Sequence, residues 1–135
     1  MDDREIIFEN QFVTIWYHNK KQIYHHEFKR FAFGKDFQEV LTTGLDTFKK
    51  KGSKKWLSDD RKNPIMTSED MTWSTTEWRP RLFKTGLKYW AVVLPERVAG
   101  QLAMKRVVDV YKKAGVIVEV FEDPDKAIEW LDSQP

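Results

Sequence analysis

Six consecutive apolar residues, Tyr89-Trp90-Ala91-Val92-Val93-Leu94, stand between Lys88 and Pro95. A β-branched and aromatic run with no polar residue to turn toward water suits a strand covered on both faces, and such strands belong to parallel sheets sheathed in helices. The flanking sequence agrees. Val98, Leu102, Val107, Val110 and Ala114 recur at spacings that fit one helix face, and Lys112-Lys113-Ala114-Gly115 puts cations in the last turn and a glycine at the stop. Val116 to Phe121 then reads as a strand. Asp123-Pro124 supplies an N-cap and a proline at the first helical position, opening a short last helix with Ala127, Ile128 and Leu131 inward.

Upstream, Phe12 to Tyr17 and Ile23 to Phe33 are β-branched and aromatic runs separated by Asn19-Lys20-Lys21-Gln22, which predicts an antiparallel hairpin. Ile6-Ile7-Phe8 is a further short strand or the start of the first one. The period then changes: Phe37, Val40, Leu41, Leu45 and Phe48 mark a helix stripe, with Asp36 and Glu39 placed as a capping box and Gly52 as the stop. Lys55-Trp56-Leu57-Ser58 predicts a short strand. Asp59-Asp60-Arg61-Lys62-Asn63-Pro64 should bring the chain to the surface, because so many charges would need partners and Pro64 lacks a donor. Thr67-Ser68-Glu69-Asp70 is a helix start. Pro80 then implies either a break near Ser74 to Thr76 or a second start with Pro80 in its first turn, with Trp78, Leu82 and Phe83 inward and Gly86 at the end.

The order is hairpin, helix, strand, helix, strand, helix, strand, helix. It predicts one α/β domain over residues 1–135, with a mixed, mainly parallel sheet, an N-terminal antiparallel hairpin and about four helices. The 41% of hydrophobic residues suffices for its core. With no cysteine, disulfides, thiolate zinc sites and thiol catalysis are excluded. The start Met1-Asp2-Asp3-Arg4-Glu5 is not that of a signal peptide, and no apolar run approaches the ~18 residues of a membrane span, so a cytoplasmic location is expected. A net charge of +2 and the lysines from Lys49 to Lys55 read as solvated surface and a helix C-terminus, which argues against a nucleic-acid partner.

Ligands of open α/β sheets bind beyond the carboxyl ends of the strands, which singles out Asp59, Asp60, Arg61 and Asn63, then Glu96, then Asp123. If the three strands are neighbours, acids and an arginine converge there, able to hold Mg²⁺, a cationic group or an anion. The structural alternative is a turn in which Arg61 pairs with one aspartate and Asp123 only caps a helix. Trp73 and Trp78 lie in the least regular segment and could line a small-molecule or lipid pocket, while Trp56, Trp90 and Trp130 are assigned to the core. His25 and His26 must point to opposite faces of a strand, so they cannot share a metal; His18 reaches one of them across the hairpin, and hydrogen-bonded histidines on the sheet surface are expected. No metal site and no cofactor is predicted. Phosphate-binding, dinucleotide, G-x-S-x-G and H-E-x-x-H motifs are all missing.

The element order, together with Trp56-Leu57-Ser58-Asp59-Asp60-Arg61, Gly86-Leu87-Lys88-Tyr89-Trp90-Ala91 and Ala127-Ile128-Glu129-Trp130-Leu131, resembles the STAS/SEC14-like bacterial proteins of the STAS superfamily, which includes anti-anti-sigma factors. The resemblance spans nearly the whole chain. It implies a compact mixed sheet with helices alongside and a role in binding a protein partner, neighbouring domains or a small or lipid ligand. The phosphorylated serine of anti-anti-sigma factors sits in an aspartate-serine-glycine motif that this chain lacks; Ser68 has a comparable position at a helix start, but Glu69 and Asp70 would oppose a phosphate there.

Three functional readings follow. The first is a non-enzymatic regulatory or protein-binding module, monomeric or homodimeric, that presents the loops after the strand ends. The second is a binder of a small apolar or lipid ligand at Trp73 and Trp78, and the third an acid-assisted or Mg²⁺-dependent enzyme at Asp59 and Asp60.

Overall fold

The structure is a computed structural model that describes residues 3–63 and 66–135. One six-stranded sheet runs through it: β1 (Arg4–Glu9), β2 (Val13–His18), β3 (Ile23–Phe28), β4 (Lys55–Asp59), β5 (Tyr89–Val93) and β6 (Ile117–Phe121), in that spatial order. The first three strands form an antiparallel meander and the last three join it in parallel, which is the mixed sheet expected from sequence. The helices are α1 (Lys35–Lys51), α2 (Ser68–Trp73), α3 (Arg79–Leu82), α4 (Val98–Lys113) and α5 (Pro124–Asp132). Each parallel crossover steps to the next strand in the same direction, so crossovers of one hand lay their helices on one face. That face, with Tyr24, Phe28, Trp56, Trp90, Val92 and Val118, packs against α1, α3 and α4. The opposite face, with Ile23, Leu57, Tyr89, Ala91 and Val93, packs against Ala127 and Leu131 of α5. All of β5 is buried, as its unbroken apolar run requires.

Several local expectations change. The hairpin's second strand stops at Phe28 and leaves Phe31 and Phe33 exposed, because the chain must turn at Gly34, whose φ of 61° favours glycine, to enter α1. Asp36 and Glu39 form no capping box, since the N-cap position is Gly34, which has no side chain to accept the bond. Gly52, at φ 65°, does end α1, and Thr67 and Asp123 cap α2 and α5 by accepting the N–H groups of Asp70 and Asp125. Phe83 lies in the turn after α3 and is exposed.

The largest change is in α4. Val98, Leu102 and Val110 are 69%, 60% and 42% exposed, while Gly100, Val108 and Tyr111 are buried. Two apolar stripes lie on this helix, and the one that reaches the sheet carries the aromatic side chain.

The chain does not surface after β4 as its charges suggest. Asp59, Asp60 and Asn63 are buried, Asp59 beside Arg61 of the same loop, and Asp60 and Asn63 beside His26 and Ala32 from elsewhere in the fold. Pro64 lies outside the described residues.

Candidate functional site

Strand alternation sends Tyr24, His26, Trp56, Ser58, Trp90 and Val92 to the face under α1, α3 and α4. The helices do not close fully on them. A cavity of about 130 Å³ remains between sheet and helices. That approaches the ~150 Å³ of an apolar protein cavity that accepts benzene. Phe28, Phe37, Leu41, Trp56, Trp78 and Trp90 supply its apolar wall, and Met66, Met71 and Met104 add deformable side chains. His26, Ser58, Asp60, Asn63, Arg79 and Tyr111 supply polar groups.

Most of the indole N–H groups at the wall have partners inside the protein. Trp90 Nε1 donates to Ser58 Oγ at 2.8 Å and Trp78 Nε1 donates to the Leu41 carbonyl at 2.7 Å. These bonds fix two rings that line the cavity. Asn63 Oδ1 accepts the Ala32 N–H at 3.1 Å.

The Tyr24 hydroxyl lies 3.1 Å from His26 Nδ1, and burial holds its phenol well above the ordinary range. The two groups share one hydrogen bond at Nδ1, which leaves Nε2 as the other ring nitrogen. That nitrogen faces Asp60 Oδ1 at 3.7 Å, beyond direct hydrogen-bond reach. Tyr24, His26 and Asp60 thus form a line from the core to the cavity.

Arg79 and Tyr111 close another side. Ser74–Trp78 forms one π-helical turn between α2 and α3, in which the Arg79 N–H donates to the Ser74 carbonyl five residues back. Pro80 explains the widening: it has no N–H to continue the α-helical ladder, and it sits in the first turn of α3 where that lack costs little. The wider turn buries Ser74, Trp78 and Arg79 together. The Arg79 guanidinium lies 5.5 Å from the Tyr111 ring centroid, and burial pushes the Tyr111 phenol up to about 12.

The residues singled out from sequence therefore separate. Asp60, Asn63 and Trp78 meet at the cavity. Asp59 takes the opposite face of the sheet, where Arg61 grips it with two bonds, Nε to Oδ1 at 2.9 Å and Nη2 to Oδ2 at 2.7 Å. The two aspartates cannot share an ion, and no group of three or more candidate metal ligands occurs among the described residues. Glu96 is exposed on the Arg61 side, where its charge adds to the rise in the Arg61 pKa led by the bond to Asp59. Asp123 is an exposed helix cap, and Ser68 is exposed one residue inside the Thr67 cap. Trp73 does not line the cavity; it packs on Phe37 and borders an outer groove with Glu77 and Arg81. Trp130 is only partly buried against Tyr89 and Phe121.

The histidines are buried rather than on the sheet surface. His18 Nε2 and His25 Nδ1 are 3.1 Å apart on the face opposite the cavity, with the rings stacked and Trp16 tilted over His25. His26 occupies the other face, as the alternation requires.

His26, Arg79 and Tyr111 were missed as site residues. Arg79 carries no signal in one dimension, since a surface arginine beside a proline looks the same. Tyr111 had one: Gly100, Ala103, Met104, Val107, Val108 and Tyr111 follow helical spacing as well as the stripe first chosen.

No family model, no curated protein and no solved structure matches the chain. No helix among the described residues is long and apolar enough to cross a membrane.

Proposed function

We propose that this chain binds a small, largely apolar organic molecule in the cavity between its sheet and helices α1, α3 and α4. The observation that carries the proposal is the coincidence of unfilled volume, an aromatic and methionine wall, and buried polar groups on one side of the sheet. A core built only for stability fills such a space, because each unfilled volume forfeits packing contacts. The aromatic faces take the apolar body, and the polar groups at His26, Asp60, Arg79 and Tyr111 orient it. The loop from Asp59 to Asn63, the candidate partner surface, is largely engaged internally through Asp59 with Arg61 and Asn63 with Ala32. That favours the ligand reading over the partner-binding one. A regulatory role of the kind the STAS-like resemblance implies is compatible with it, the ligand then being the signal.

The test is native mass spectrometry of protein gently purified from its host, beside Ala103→Phe, which places a ring in the cavity where Ala103 now lines it. The expected result is a stoichiometric small mass on the wild type, or uptake of toluene by calorimetry when the protein arrives empty. Both should be lost in a folded Ala103→Phe protein. Equal binding by the two proteins, or no binding by either, refutes the proposal.

A further inference from the structure

We infer that the molecule taken up by this cavity carries an anionic head group, a carboxylate or its equivalent, seated on Arg79 and Tyr111. The inference rests on the ligand reading above and adds its chemical class. Arg79 is 9% exposed, and its Nε has no hydrogen-bond partner. Among the described residues no carboxylate comes within 4.0 Å of its guanidinium; the ion pairs formed are at Asp3, Glu5, Glu9, Glu27, Asp59 and Asp60, with other cations. Its nearest compensation is neutral: Tyr111, whose ring centroid lies 5.5 Å away and whose hydroxyl pairs with the arginine side chain, leaving Nε unpartnered.

A buried cation without a counter-charge is costly, and a chain that needs no charge there is better served by an apolar residue. Arg61 makes the contrast inside the same molecule, because it sits nearer to solvent and still holds a two-bond carboxylate pair. Arg79 has the planar donor fork that suits a carboxylate, and the residue lines the cavity. The Tyr111 phenol stays protonated because burial holds its pKa near 12, so it can donate as well. Asp60 lines the same cavity and its charge reaches Tyr111, but its carboxylate lies beside His26 Nε2 at 3.7 Å and forms no ion pair with Arg79 within 4.0 Å. The cavity is thus apolar in its body and cationic at the π-helical turn, which fits an aryl or short alkyl carboxylate of about benzene size.

The experiment compares three probes that share one ring, namely toluene, 2-phenylethanol and phenylacetate. Each is titrated into the 135-residue chain by calorimetry, with tryptophan fluorescence as a second readout. Phenylacetate should bind at least about tenfold tighter than 2-phenylethanol, the factor expected of a charge-assisted pair. Arg79→Met should abolish that preference while still binding toluene, and Arg79→Lys should restore part of it. Should Arg79→Met fail to fold, the wild-type comparison still decides. Toluene and 2-phenylethanol binding as well as phenylacetate overturns the anion assignment and leaves the cavity reading intact. No binding by any of the three overturns both.

Discussion

Gly44 in the middle of α1 lies directly against the Tyr24 hydroxyl, so closely that a Cβ at position 44 would overlap the phenolic oxygen. A glycine inside an exposed helix costs about 0.5–1 kcal/mol relative to alanine, so Gly44→Ala would ordinarily stabilise. Here the clash should win. Tyr24 is fully buried between Phe48, Trp56 and His26 and has nowhere to move. Gly44→Ala should therefore destabilise by roughly 1–3 kcal/mol, as overpacked cores do. Denaturant unfolding measures it, and a gain in stability would show that Tyr24 is not held as described.

The α4 register can be checked with two substitutions. Leu102 is exposed, so Leu102→Lys should change stability by less than about 0.5 kcal/mol. Val108 is 4% exposed, and Val108→Ala should cost about 1–3 kcal/mol. The reverse ranking in thermal unfolding would mean that the other stripe of the helix faces the sheet.

Ser58 and Trp90 should behave as a unit. Ser58→Ala leaves the buried Trp90 N–H without its 2.8 Å acceptor and should cost roughly 1–3 kcal/mol. It should also alter the near-ultraviolet circular dichroism of the tryptophans at the cavity wall. An unchanged spectrum with unchanged stability would show that the indole is paired differently.

Removing Arg61 tests the opposite face. Asp59 is 1% exposed, and Arg61→Ala would leave its carboxylate without the two-bond partner. Breaking a fully buried pair costs about 3–5 kcal/mol, but the Arg61 side chain is 35% exposed, so water takes over part of its role. The expected loss is about 1–2 kcal/mol, and Asp59→Asn with Arg61→Ala should recover part of it in a double-mutant cycle.

Acid should destabilise the protein through His25. Burial holds its imidazole well below the ordinary value of 6.5, and His18, His26, Arg4 and Arg61 add to the cost of a proton there. The unfolded chain binds that proton near pH 6.5 while the folded one does not. The associated stability is therefore complete above that pH and is lost progressively below it, by at most about 1.4 kcal/mol per pH unit for one proton. Denaturation midpoints between pH 7.5 and 5 should fall in the wild type and fall less in His25→Gln. Parallel curves would place the titrating group elsewhere.

Most strands and helices that depend on a run of neighbours are legible in one dimension. The unbroken Tyr89–Leu94 segment, the stripe from Phe37 to Phe48 and the Thr67 and Asp123 caps describe chemistry within a few residues, and the alternation of elements carried the mixed, mainly parallel sheet with them. The site was legible only in fragments. Asp60, Asn63 and Trp78 were picked out from their places after a strand or in an irregular turn, and they do meet at the cavity. Asp59 was picked out beside them and lies on the other face, because alternate residues of a strand point opposite ways.

What the tertiary structure alone decided is the burial of charge and the choice of helix face. A sequence of aspartates and an arginine reads as surface because isolated charges avoid the interior. Asp59 stays inside because Arg61 satisfies it, while Asp60 lies inside with His26 of the neighbouring strand β3 at 3.7 Å. Arg79 and Tyr111 are 32 positions apart in the chain, and each is unremarkable alone. The π-helical turn forced at Pro80 and the packing of α4 bring them to one cavity, and no local rule of spacing records that meeting.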